Sequence, residues 1–177
     1  MKGVIVVALK ELITSNFGRD AWEKLLEAAG VPKTKIFLAS EVVDDAVVMK
    51  LINAIPKVLG MSVKEALSAF AKYWIHKFAP KWFFFYYAKA KTAKDFLLMM
   101  DEVHQVEARK VRSGERVNPP RFKYEWLNDK TLIMHYISRR NLIDLAVMLV
   151  KEVGNYYRTP LMVSKIGNNK IKVVFLR

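Results

Sequence analysis

The spacing of apolar residues changes period near Gly114, and this change constrains the fold more than any other feature of the chain. Before it, apolar side chains recur every three or four residues, as in amphipathic helices. Beyond it, short runs alternate apolar with polar, as half-buried strands do. Val4 to Asn16 predicts a first helix, stopping at Gly18 in a left-handed cap. Asp20 and Glu23 have the spacing of a capping box for a second helix that ends at Gly30. Ser40 predicts the start of a third, running to Gly60 and able to kink at Pro56. Ser62 and Glu65 predict another capping box, for a helix that ends before Pro80. Lys81 to Ala90 predicts a further helix, and Thr92 caps one that continues to about Val111. After Gly114, Arg121 to Trp126 and Thr131 to Tyr136 read as strands joined around Asn128-Asp129. Asn141 to Tyr156 returns to helical spacing, and Leu161 to Ile166 pairs with Lys170 to Leu176 across Gly167-Asn168-Asn169. The expectation is an α+β fold: a mostly helical N-terminal part, then a small antiparallel sheet with one helix inserted.

Several function classes fall away on composition. The chain has 177 residues and no internal repeat or low-complexity linker, so it reads as one domain. The longest apolar runs, Val4 to Leu9 and Trp82 to Ala88, fall far short of the roughly 20 residues needed to cross a bilayer. There is no cysteine, which excludes disulfides, thiolate nucleophiles, iron–sulfur ligation and thiolate-bound haem, and fits a cytoplasmic protein. The net charge of +13 is spread along the chain without a run of five like charges. The densest stretch, Arg109 to Arg116, reads as a helix end and its following loop, where cations meet the negative end of the helix dipole. No basic–aromatic motif of a nucleic-acid fold accompanies it, which argues against a nucleic-acid partner.

One histidine stands out. Ala93, Phe96, Leu97 and Met100 define an apolar helix face, and His104 continues it, while Asp101, Glu102 and Gln105 point elsewhere. Asp101 and Glu102 are expected on the outer helix face. An imidazole on an apolar face needs partners for its nitrogens. Either it is a core histidine bonded to a backbone carbonyl, or it is a metal or haem ligand. Farther along, Tyr136, Ser138 and Arg140 alternate with Ile137 and Arg139, so an extended backbone would bring two hydroxyls and a guanidinium to one face. That set matches carboxylates such as haem propionates, and equally an ordinary solvated strand. The aromatic cluster Trp82 to Tyr87 reads as core packing.

Taken together, these residues resemble the H-NOX family, the haem nitric oxide/oxygen-binding sensor domains. Tyr136-x-Ser138-x-Arg140 resembles its propionate-binding signature, and His104 within Met99-Met100-Asp101-Glu102-Val103-His104 its proximal ligand. Pro119-Pro120-Arg121-Phe122 lies where the family places a proline against the haem, with Pro120 as that residue. The opening Met1 to Val6 and Trp22 fit the family's start, and Phe70-Ala71-Lys72-Tyr73-Trp74 resembles its distal helix, with Ala71 where glycine is commoner. The resemblance implies b-type haem lying between a helical distal part (about 1–80) and a proximal part with a four-stranded sheet (about 81–177). It implies that Ile5, Pro120 and Leu149 contact and distort the macrocycle, and that Trp74 and Leu145 line the site.

Family members that hold oxygen use a distal tyrosine at the position occupied here by Leu145, with Leu142 and Ile143 beside it also apolar. Bound oxygen gains from such a donor and nitric oxide needs little help. The expectation is a non-enzymatic sensor of nitric oxide, also binding carbon monoxide and binding oxygen poorly. The resemblance implies a signalling partner such as a histidine kinase, a cyclic-dinucleotide enzyme or a chemoreceptor. The alternatives are an oxygen sensor with Tyr73, Trp74 or His76 as donor, and a haem-free module holding a carboxylate ligand.

Overall fold

The computed structural model describes residues 1–110 and 117–176. Two compact units emerge: Met1–Phe70 makes up the body of one, and Ala71–Glu107 with Pro119–Arg177 makes up the other. The division falls inside a helix, between Phe70 and Ala71.

The first unit contains helices α1 (Gly3–Phe17), α2 (Arg19–Ala28), α3 (Asp45–Leu59) and most of α4 (Val63–Tyr73). α1 buries Val4, Val6, Leu9, Leu12 and Ile13, and α2 seals it with Trp22, Leu25 and Leu26. Gly3 is required where it stands, because a Cβ there would lie 2.0 Å from the carbonyl oxygen of Leu38. Three local expectations change. Gly18 has positive φ (83°) but an extended ψ (171°), so it joins α1 directly to α2 rather than forming a left-handed helical cap. Asp20 makes no capping bond; Gly18 is already the cap residue, and Glu23 instead takes the guanidinium of Arg19 at 2.7 Å. Ser40 does not open α3, since Gly3 and Val4 donate to the carbonyls of Glu41 and Ala39 and hold that stretch non-helical. The helix starts five residues later, where the Asp44 carboxylate accepts from the amide of Ala46 at 2.9 Å. At the start of α4 the expected Ser62–Glu65 capping box is present, with bonds of 2.7 and 3.2 Å.

In the second unit the helix expected to end before Pro80 runs through it. α4 passes into a π-helical turn, Trp74–Phe78, and then into α5 (Ala79–Trp82). Pro80 has no amide to give His76, and its ring would collide with that carbonyl in an α-helix. The wider turn, with the Ala79 amide donating to Trp74, absorbs the conflict. α6 (Phe84–Lys89), α7 (Ala93–Leu98) and α8 (Met100–Arg109) follow. Thr92 and Asp95 form a reciprocal capping box on α7. The single helix expected from Thr92 is broken at Met99, α8 ends at Arg109, and residues 111–116 of the basic stretch lie outside the described residues.

Both hairpins form as expected: β1 (Arg121–Asn128) with β2 (Thr131–Ile137), and β3 (Leu161–Ile166) with β4 (Lys170–Phe175). The sheet is antiparallel in the order β1-β2-β4-β3. Leu132 pairs with Val173 and Met134 with Ile171, and all four are essentially fully buried. Against this face pack α7 through Phe96 and Leu97, and α9 (Ile143–Tyr156) through Ile143, Val147, Val150 and Val153. A Cβ at Gly154 would lie 2.7 Å from Leu161 Cδ1, so glycine is what lets α9 approach β3. Among the described residues, no single helix is long and apolar enough to cross a membrane.

Candidate functional site

His104 lies in the middle of α8, half-buried. Its Nδ1 is 2.7 Å from the carbonyl oxygen of Met100, one turn back on the same helix. A carbonyl only accepts, so Nδ1 carries the proton and Nε2 keeps its lone pair. Nε2 has no hydrogen-bond partner among the described residues. Desolvation is the largest cause acting on this imidazole and holds its pKa below 6.5, outweighing the Met100 carbonyl and the charge of Asp101, both of which favour the cation. The result is a neutral, oriented imidazole with one nitrogen available, the form a metal requires.

The ring of His104 sits 5.5 Å from that of Phe122, and Phe122 sits 5.7 Å from Tyr136, its register partner across β1 and β2. Two adjacent strands thus connect the histidine to the polar stripe. Tyr136 is buried. The extended backbone expected over 136–140 stops early. β2 ends at Ile137, and Arg139 and Arg140 belong to a turn in which the Ser138 hydroxyl accepts the Arg140 amide at 3.3 Å. The alternation survives the turn: Tyr136, Ser138 and Arg140 are buried or half-buried, while Ile137 and Arg139 are exposed.

Asp101 was expected on the outer face of its helix, and it is the main anchor of α8 instead. Its carboxylate accepts from Arg121 Nε at 2.8 Å and Nη2 at 3.0 Å, from the Phe122 amide at 2.8 Å and from Gln105 at 2.8 Å. Its hydrogen bond from Arg121 is the largest of the causes that hold its pKa below 3.8. Half-buried Pro120 directly precedes this clamp. Helical periodicity could not reveal Asp101, because its partners lie some twenty residues away on β1.

Leu145 and Leu149 lie four residues apart on α9, both half-buried, with Leu149 packed on the core. Trp74 opens the π turn and stacks on Phe78 at 5.4 Å, while Tyr73 ends α4. His76 is committed to Glu152 on α9 at 2.8 Å. Ile5 is half-buried on α1 of the first unit. The aromatic cluster after Lys81 is core only in part: Tyr87 is buried with an unpaired hydroxyl, whereas Trp82, Phe84 and Phe85 are 50%, 67% and 69% exposed. Their short helices turn too sharply at Phe83 to bury consecutive rings.

The donor set fits a haem: a neutral imidazole nitrogen without a partner, the hydroxyls of Tyr136 and Ser138, and a cationic turn beside them. The family model for haem-NO-binding domains (HNOB) matches residues 2–165. The chain belongs to the haem-NO-binding family. Its cofactor is haem, and this H-NOX domain is a haem-based gas-sensor module. Among curated relatives, it is 26% identical over 175 residues to soluble guanylate cyclase gcy-35 of Caenorhabditis elegans, covering 96% of this chain and 25% of the relative. It is 24% identical over 156 residues to gcy-32 of the same organism, covering 87% of this chain and 23% of that protein. The chain thus spans about a quarter of the length of these relatives. An oxygen-binding H-NOX domain related to soluble guanylate cyclases shares the α+β fold, with a TM-score of 0.82 at 23% identity, covering 100% of this chain and 96% of that one. An I5F mutant of the T. tengcongensis H-NOX matches at 0.82 and 22% identity over 100% and 98% of the two chains.

Proposed function

We propose that this H-NOX domain senses nitric oxide through a haem that His104 would hold, and passes the signal to an effector without catalysing a reaction itself. The observation that carries the reading is the Nδ1–H bond from His104 to Met100, which leaves Nε2 as the single ligating nitrogen. Tyr136, Ser138 and Arg140 would supply the hydroxyls and guanidinium for the two propionates, and Pro120 and Leu149 would supply apolar contacts. When bound, haem would supply an iron able to take a diatomic gas.

The residues of α8 then determine what is transmitted. Met100 keeps the imidazole fixed to α8, and Asp101 connects the start of that helix to Arg121 and Phe122 of β1. Displacement of His104 therefore loads the Asp101 clamp next to Pro120. The effector is proposed to be a histidine kinase, a cyclic-dinucleotide enzyme or a chemoreceptor, or a cyclase domain of the kind named in the relatives.

Selectivity rests on α9. Its opening residues Leu142, Ile143 and Leu145 are apolar, and its first hydroxyl is Tyr156 at the far end. Loss of one donor costs an oxyanion-like ligand about 3 kcal/mol. The reduced, haem-loaded protein is expected to keep the same absorption spectrum in air and to change with nitric oxide or carbon monoxide. A stable oxygen complex would reverse the selectivity and make Tyr73 or Trp74 the donor.

A further inference from the structure

α7 and α8 are one helix interrupted by a side chain from the sheet. In an unbroken helix the Asp101 amide would donate to the Leu97 carbonyl four residues back. Instead the Tyr124 hydroxyl stands between them, donating to the Leu97 oxygen at 2.8 Å and accepting from the Asp101 amide at 3.3 Å. Backbone bonding resumes at once, with the Val103 amide on the Met99 carbonyl at 3.0 Å. A group inserted in the backbone ladder is a recognised cause of a sharp helix break. Burial pushes the Tyr124 hydroxyl up to about 12, so it remains a donor across the physiological range.

The two halves are held differently. α7 buries Ala93, Phe96 and Leu97 in the core, and α8 has no fully buried residue. α8 touches the core through half-buried Met100 and is otherwise directed by polar contacts: the Asp101 clamp beside the break, and the Tyr86 hydroxyl on Glu107 at 3.0 Å farther along. We infer that Tyr124 is a positioning residue for His104, uncoupling α8 from α7 so that the helix carrying the imidazole can turn about Met99. This rests on His104 being the haem ligand. Without the inserted hydroxyl, the Asp101 amide closes onto Leu97, and any movement of His104 must drag the buried side chains of α7 with it.

The test is Tyr124→Phe in the whole chain, with two readouts. Without haem, exchange of the Asp101 amide is expected to slow by about ten-fold as the direct backbone bond forms. An equal or faster rate overturns the inference. With haem, the fraction of nitric oxide complex in which His104 has left the iron is expected to fall about two-fold or more. Adding Leu98→Gly, at an exposed position, weakens the fused helix and is expected to restore it. A simple loss of stability would move the unfolding midpoint and leave this fraction alone, and an unchanged fraction overturns the inference. If wild-type protein shows no haem spectrum that responds to nitric oxide, the ligand reading fails, and the exchange measurement still judges the helix break by itself.

Discussion

α9 and α8 belong to the same compact unit, and different forces hold them. α9 commits Ile143, Ala146, Val147, Val150, Val153 and Gly154 to the core along a continuous stripe. α8 buries no residue completely, packs on the core only through half-buried residues such as Met100, and takes its direction from Asp101, Tyr86 and the Tyr124 hydroxyl. Apolar burial is non-directional and summed over many atoms, so it yields a scaffold that resists displacement. A few hydrogen bonds each contribute only about 1 kcal/mol net, yet fix direction, so they suit an element that must be held in one place and then released. His104, the proposed ligand, sits on the element held the second way.

The contrast can be broken most severely at the scaffold. Met134→Ala removes a side chain that is 1% exposed at the centre of the sheet, and is expected to cost about 3 kcal/mol in urea unfolding while leaving the haem spectrum in place. A loss below about 1 kcal/mol would mean that the sheet and α9 are not the rigid part. Asp101→Asn removes the carboxylate fork to half-exposed Arg121, and solvent screening limits its stability cost to about 1 kcal/mol. Its larger effect is expected on the iron–histidine vibration in resonance Raman spectra, because α8 loses its hold on β1. An unchanged vibration alongside a large stability loss would put Asp101 with the scaffold instead.

The scaffold was the legible part. β2 and β4 alternate, turn residues mark both hairpins, and α9 repeats its apolar positions at helical spacing, so each element carries its own signal. α8 was less so. His104 could be found because it continues the face of Ala93, Phe96 and Leu97, but the break at Met99 is caused by Tyr124 on a strand 25 residues beyond that point. Asp101 was assigned to solvent for the same reason: its partners, Arg121 and Phe122, are distant in sequence. Ser138 and Arg140 kept their sidedness although the strand ends at Ile137, since a turn can preserve what an extended chain would give. Trp82, Phe84 and Phe85 misled in the other direction, because aromatic density alone does not tell buried rings from exposed ones.

The proposed bond from His104 Nε2 to the haem iron carries the sensor function. The direct measurement is the absorption spectrum of His104→Gly, reduced and supplied with hemin, with and without free imidazole. The variant is expected to lose the five-coordinate histidine-bound spectrum, and imidazole is expected to restore it. A variant with the wild-type spectrum in the absence of imidazole would contradict that bond.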